Sequence, residues 1–120
     1  MGAEIKMLQI LNVDEADAAI SSVGADPGGV AIMREKAVFR VLRLAKVPIR
    51  AAIIIKQTFL AHGAEAAVSQ ETAGLSAENT DMILMGTLAQ YKIVLAKLRQ
   101  QPFGLRSIAE GIEKKLLENP

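Results

Sequence analysis

Residues 81–87, DMILMGT, form a near-continuous apolar run of strand length. A run of this kind predicts a strand covered on both faces, as in an α/β sheet. The period then changes. Leu88, Tyr91, Val94, Leu95 and Leu98 recur at helical spacing, while Lys92, Lys97, Arg99 and Gln100 take the other side. Gly86-Thr87 must therefore hold a tight strand-to-helix turn, with Thr87 as the helix N-cap. Backbone N–H groups at such a junction can also hold an anion. A single glycine without a following Gly-Lys-Ser/Thr is no nucleotide fingerprint, so capping is the simpler role.

The rest of the chain alternates elements in the same way. EIKMLQIL, 4–11, alternates imperfectly and reads as a first, half-buried strand. Asp14 is the candidate N-cap of a helix that ends at Gly24, with Ala16, Ala19, Ile20 and Val23 as its apolar stripe. Pro27, Gly28 and Gly29 make a turn that lacks the spacing of either nucleotide motif. Residues 30–47 are ambiguous. Arg40, Arg43 and Lys46 recur every three residues, as on a helix, whereas Val38, Phe39, Val41 and Leu42 have strand chemistry. The segment divides into a short helix at 30–37 and a strand at about 38–45, or it is one long helix. Pro48 suits the first turn of a helix running to Gly63, with Ala52, Ile55 and Phe59 as one ridge and Ile49, Ile53 and Leu60 as its neighbour. A short strand is expected at 64–69, a polar loop at 70–80, and a last amphipathic helix along LRSIAEGIEKKLLENP, with Leu105, Ile108, Ile112 and Leu116 as its stripe.

These elements predict an α/β fold: one small domain over residues 1–120, with about four strands in a mixed sheet covered by about four helices. Aromatics are only 3% of the chain, so the core must be aliphatic. The net charge of +1 argues against a nucleic-acid partner bound through a basic footprint. The longest apolar run, Ala51–Ile55, is far below the ~20 residues of a membrane span. With no signal-peptide shape at its N-terminus, the chain reads as cytoplasmic.

The inventory for chemistry is thin. Cysteine is absent and His62 is the single histidine, so neither a Cys–His nucleophile nor a zinc site can be assembled, and no metal or cofactor is expected. His62 sits at a helix end, where a cation interacts well with the last carbonyls. Lys56 lies in an apolar helical stretch. It is either a lysine with a depressed pKa that serves as base or Schiff-base amine, or a stem laid on apolar surface with its charge outward. Gln57 beside it either reads a ligand or faces solvent.

"RAAIIIKQTFLAHGAEAAV" (50–68), "TDMILMGTLAQY" (80–91) and "KLRQQPFGL" (97–105), preceded by "IMREKAVFRV" (32–41), form an ordered series. Together they resemble the N-terminal extension that precedes the catalytic barrel in certain bacterial dihydropteroate synthases. The resemblance covers roughly residues 30–118. This chain has Ile53 and Ala64 where the family pattern has Asn and Gly. A TIM barrel needs about 250 residues, so the synthase chemistry cannot reside in these 120. The resemblance implies an accessory, non-catalytic unit that docks on or regulates that barrel, in cis or in trans. The Lys56-Gln57 helix and the turn of Gly86, Thr87 and Gln90 are then its candidate contacts. The alternative is a stand-alone module that binds a small molecule or anion between Gly86-Thr87 and Lys56. A homo-oligomer is compatible with either.

Overall fold

The computed structural model describes residues 2–72 and 77–120. The order of elements is α1 (Val13–Ser21), α2 (Pro27–Met33), β1 (Phe39–Pro48), α3 (Ile49–Ala61), β2 (Glu65–Val68), β3 (Asn79–Thr87), α4 (Leu88–Leu98) and α5 (Leu105–Glu118). Single 3-10 turns occupy Arg34–Lys36 and Gln70–Thr72. The fold is α/β as expected, with a smaller and simpler sheet. Among the described residues its three strands run in the order β1-β3-β2, and both pairings are antiparallel rather than mixed. The polar loop expected at 70–80 falls in part on residues 73–76, which lie outside the described residues.

The missing strand is 4–11. Residues 2–11 take no regular structure, and their apolar side chains stay exposed, Ile5 at 91% and Met7 at 99%. Helix α1 begins two residues earlier than an N-cap at Asp14 implies. Asn12 is its N-cap, accepting from the Glu15 N–H at 2.8 Å, while Asp14 and Glu15 fill the acidic first turn. The helix ends at Ser21, so Val23 lies outside it and is exposed.

The ambiguous segment 30–47 resolves into helix and then strand. Asp26 caps α2 through the N–H groups of Gly28 and Gly29, and the chain extends from Phe39. The basic triplet is not a helical face. Arg40 reaches the carbonyls of Leu11 and Asn119, whereas Arg43 pairs with Asp81 across the sheet at 2.8 Å. A bulge between Leu44 and Val47 places Lys46 at a φ of 56°, and Asp81 holds it there by accepting the Lys46 N–H at 3.0 Å. Pro48 ends β1 and is the N-cap of α3, one residue before the first helical turn.

Helices α3, α4 and α5 all lie on one face of the sheet. There Ala52, Ile55 and Phe59 of α3, Tyr91, Val94, Leu95 and Leu98 of α4, and Leu105, Ala109 and Ile112 of α5 form a continuous core with Ala66, Met82 and Leu84. The Phe59 and Tyr91 rings meet edge to face with centroids 5.4 Å apart. Arg99 and Glu113 form an ion pair joining α4 to α5.

β3 is the central strand, but it is covered on one face only. Met82, Leu84 and Gly86 are buried, whereas Ile83 and Met85 are half-buried on the opposite side. Register places Ile83 and Met85 beside Arg43 and Val41 of β1 and beside Ala67 and Glu65 of β2. Phe39 and Val41 complete this second face, exposed at 55% and 59%. An apolar run on an open face looks the same in sequence as one between two layers. No helix among the described residues is long and apolar enough to cross a membrane.

Candidate functional site

The junction between β3 and α4 brings together three of the five candidate residues. The Thr87 hydroxyl accepts the Gln90 N–H at 3.1 Å, and Gln90 Oε1 accepts the Thr87 N–H at 2.9 Å. This reciprocal capping box is encoded by Thr-Leu-Ala-Gln at 87–90. Gln90 goes further. Its Nε2 donates to the His62 carbonyl at 3.0 Å, tying the end of α3 to the start of α4. Gly86 lies under this clasp. A Cβ there would stand 3.2 Å from Gln90 Oε1 and 3.3 Å from Ala64 Cβ, so only glycine fits without displacing a neighbour.

Three of the backbone donors at this turn are occupied by these contacts. The Thr87 N–H goes to Gln90, the Gln90 N–H to Thr87, and the Leu88 N–H to the Val38 carbonyl at 2.9 Å. The geometry is that of a filled cap.

Lys56 and Gln57 lie apart from the clasp. The Lys56 ammonium donates to the Ala66 carbonyl at 3.0 Å, with its stem partly buried along α3. Gln57 is exposed. The clefts along β1 and along α4–α5 are lined by other residues and do not join Lys56, Gln57 and Thr87. His62 caps α3 at its C-terminal end, as its position before Gly63 suggests.

Two polar features were not visible in the sequence. The buried Tyr91 hydroxyl donates to the Arg40 carbonyl at 2.9 Å, and burial pushes its phenol well above the ordinary range. The Asp81 carboxyl is lowered, chiefly by the Lys46 N–H and then by the Arg43 guanidinium. Both contacts span β1 and a later element, and no local spacing announces them. Among the described residues there is no cluster of His, Asp and Glu able to hold a metal ion.

No family model matches the chain, and no solved structure matches it. Two curated proteins do. The chain is 34% identical over 108 residues, 88% of its length, to a probable bifunctional folylpolyglutamate synthase/dihydropteroate synthase of Halobacterium salinarum. It is 26% identical over 106 residues, again 88% of its length, to the bifunctional dihydropteroate synthase/dihydropteroate reductase of Helicobacter pylori. It spans only 13% of the first relative and 28% of the second. The chain is thus related to a region of bifunctional folate-pathway enzymes.

Proposed function

We propose that this chain is an accessory, non-catalytic module of a dihydropteroate synthase. On this reading it docks on the catalytic barrel, in cis or in trans, and shapes the barrel's assembly or access. The observation that carries the reading is what the two relatives share. Their names differ in the second activity and agree on dihydropteroate synthase, and both contain the region that this chain matches. The antiparallel sheet of this chain differs from the parallel strands of such a barrel, which supports a region that accompanies the barrel.

The open face of the sheet supports docking. Phe39, Val41, Ile83 and Met85 form an apolar strip bordered by Arg43, Asp81 and Glu65, the composition of an interface centre with a polar rim. Gln57 lies on α3, on the opposite side of the sheet, and Gly86 and Gln90 are held in the clasp, so the strip is the proposed contact surface. The alternative, a module that binds an anion at Gly86-Thr87, has less support because the N–H groups of Thr87, Leu88 and Gln90 are already used.

The test is thermal unfolding and calorimetric titration of the chain with a separately expressed synthase barrel. Pterin pyrophosphate, p-aminobenzoate and pyrophosphate serve as small-molecule arms. Docking predicts binding to the barrel and a raised melting temperature with the barrel alone. A ligand present at 100 times its Kd adds roughly 2.7 kcal/mol, so stabilisation by a small molecule alone would transfer the reading to a binding module. Turnover of dihydropteroate with a nicotinamide reductant by this chain alone would overturn the non-catalytic role.

A further inference from the structure

The sheet has two free edges, β1 and β2, among the described residues. The β1 edge is accompanied by a groove. Leu42, Leu44 and Val47 form its strand wall, and Ile108, Ile112 and Leu116 of α5 form its helix wall. Two clefts make up this groove, one of about 700 Å³ beside Arg40–Leu42 and one of about 350 Å³ beside Leu42–Pro48. They share Leu42 and Lys115, so they are continuous. Gly111 faces the second cleft, and a Cβ there would meet nothing within 4 Å, which leaves the helix surface bare. An edge strand beside a helix, with an apolar trough between them, is the geometry that accepts an added peptide strand. The bulge after Leu44 breaks the edge there, and the Arg40 guanidinium takes the Phe39 carbonyl at the other end, leaving Val41–Leu44 regular and open to pair.

The same chain carries a segment with the matching pattern. Residues 4–10 are free of regular structure and bear apolar groups on both sides of an extended chain, Ile5 and Met7 on one and Leu8 and Ile10 on the other. One set suits the trough against α5. The other suits the open face beside Phe39 and Val41. The arm leaves the body at Leu11, whose carbonyl is held by Arg40 at 2.7 Å. It then projects away, with Ile5 and Met7 almost fully exposed. The radius of gyration is 16.9 Å, against the roughly 14 Å of a compact chain this long. The chain's own Leu11–Asp14 and Asn119–Pro120 close the Arg40 end of the groove, and the stretch from Leu42 onward is unfilled, as is the arm.

We propose that residues 4–10 of one copy add as a fourth strand to the β1 edge of a second copy, in the groove between β1 and α5, and that the exchange is reciprocal. A two-fold dimer results, with the same contact made twice.

The experiment is native mass spectrometry and light scattering of the full chain, with hydrogen exchange read at residues 4–10. The expected result is a species of twice the chain's mass whose arm amides are protected. Removing residues 2–9 should give a monomer with an unchanged circular dichroism spectrum. Gly111→Phe fills the trough from an exposed helical position and should weaken self-association by about tenfold or more without unfolding the chain. Met7→Pro, which removes a donor from the added strand, should do the same. A monomer with a protected arm would place the arm in its own groove and overturn the exchange. A monomer with a freely exchanging arm would overturn it outright. So would a dimer that survives both the arm deletion and Gly111→Phe.

Discussion

Replacing Gln90 separates a clasp from a ligand-reading side chain. Gln90 makes two side-chain hydrogen bonds, accepting from the Thr87 N–H at 2.9 Å and donating to the His62 carbonyl at 3.0 Å, both partly buried. Each is worth about 1 kcal/mol net. Gln90→Ala should therefore cost about 2 kcal/mol. For a chain of this length that corresponds to a fall in Tm of about 8 °C. Thr87→Ala removes the other half of the box and should cost about 1 kcal/mol. Gln90→Glu keeps the acceptor for Thr87 but loses the donor to His62, so its cost should be about 1 kcal/mol. The two Ala substitutions should not be additive, with a coupling of at least about 0.5 kcal/mol, because they remove one reciprocal pair. Urea unfolding at constant m-value measures all four quantities. If Gln90→Ala shifts Tm by less than about 2 °C, the clasp does not carry the predicted energy. If it also abolishes barrel binding at unchanged stability, Gln90 is a contact residue instead.

Three further substitutions address single contacts. Tyr91→Phe keeps the edge-to-face ring contact but leaves the Arg40 carbonyl without its hydroxyl, at a cost of about 1–2 kcal/mol by denaturant titration. Because the folded phenol titrates above its ordinary 10.0, wild-type stability is intact below that pH and falls above it, and Tyr91→Phe should fall less steeply in the alkaline range. Lys56→Met should cost about 1 kcal/mol through the Ala66 carbonyl; no loss of stability would return Lys56 to the list of chemical groups. The Asp81 carboxyl titrates below its usual 3.8 in the folded chain, so its contribution is present above that pH and lost as pH falls through the lowered value. Asp81→Asn should flatten the acid limb of an unfolding curve, and an unchanged limb would remove Asp81 from the account of the bulge.

Much of the core was legible because its period is local. The stripes of α3, α4 and α5 follow from spacing, and Phe59, Tyr91, Leu98 and Ile112 are buried as that spacing requires. The Thr87 N-cap was legible for the same reason, and its reciprocal partner Gln90 lies within the same turn. The reach of Gln90 to His62 was not, because it joins residues 28 apart. β1 was ambiguous for a physical reason: Arg40 reaches the Leu11 carbonyl while Arg43 and the Lys46 backbone N–H share Asp81, and the spacing of the three imitates a helical face. The open face was illegible because Ile83 and Met85 are as apolar as Leu84, and composition does not say whether a second layer is present.

The unpaired pattern at 4–11 and the uncovered face then bear on one another. A strand added along β1 would place Ile5 and Met7, or Leu8 and Ile10, beside Phe39 and Val41 and so widen the apolar strip available to a barrel. Docking and exchange are nevertheless separable. Phe39, Val41, Ile83 and Met85 belong to the body of one chain, so a chain lacking residues 2–9 should still bind the barrel, with lower affinity and one copy per site. Calorimetric titration of the truncated chain measures both affinity and stoichiometry. Binding lost altogether would make the exchanged strand part of the docking surface. Binding unchanged in affinity would confine the arm to self-association and leave the sheet face alone to meet the barrel.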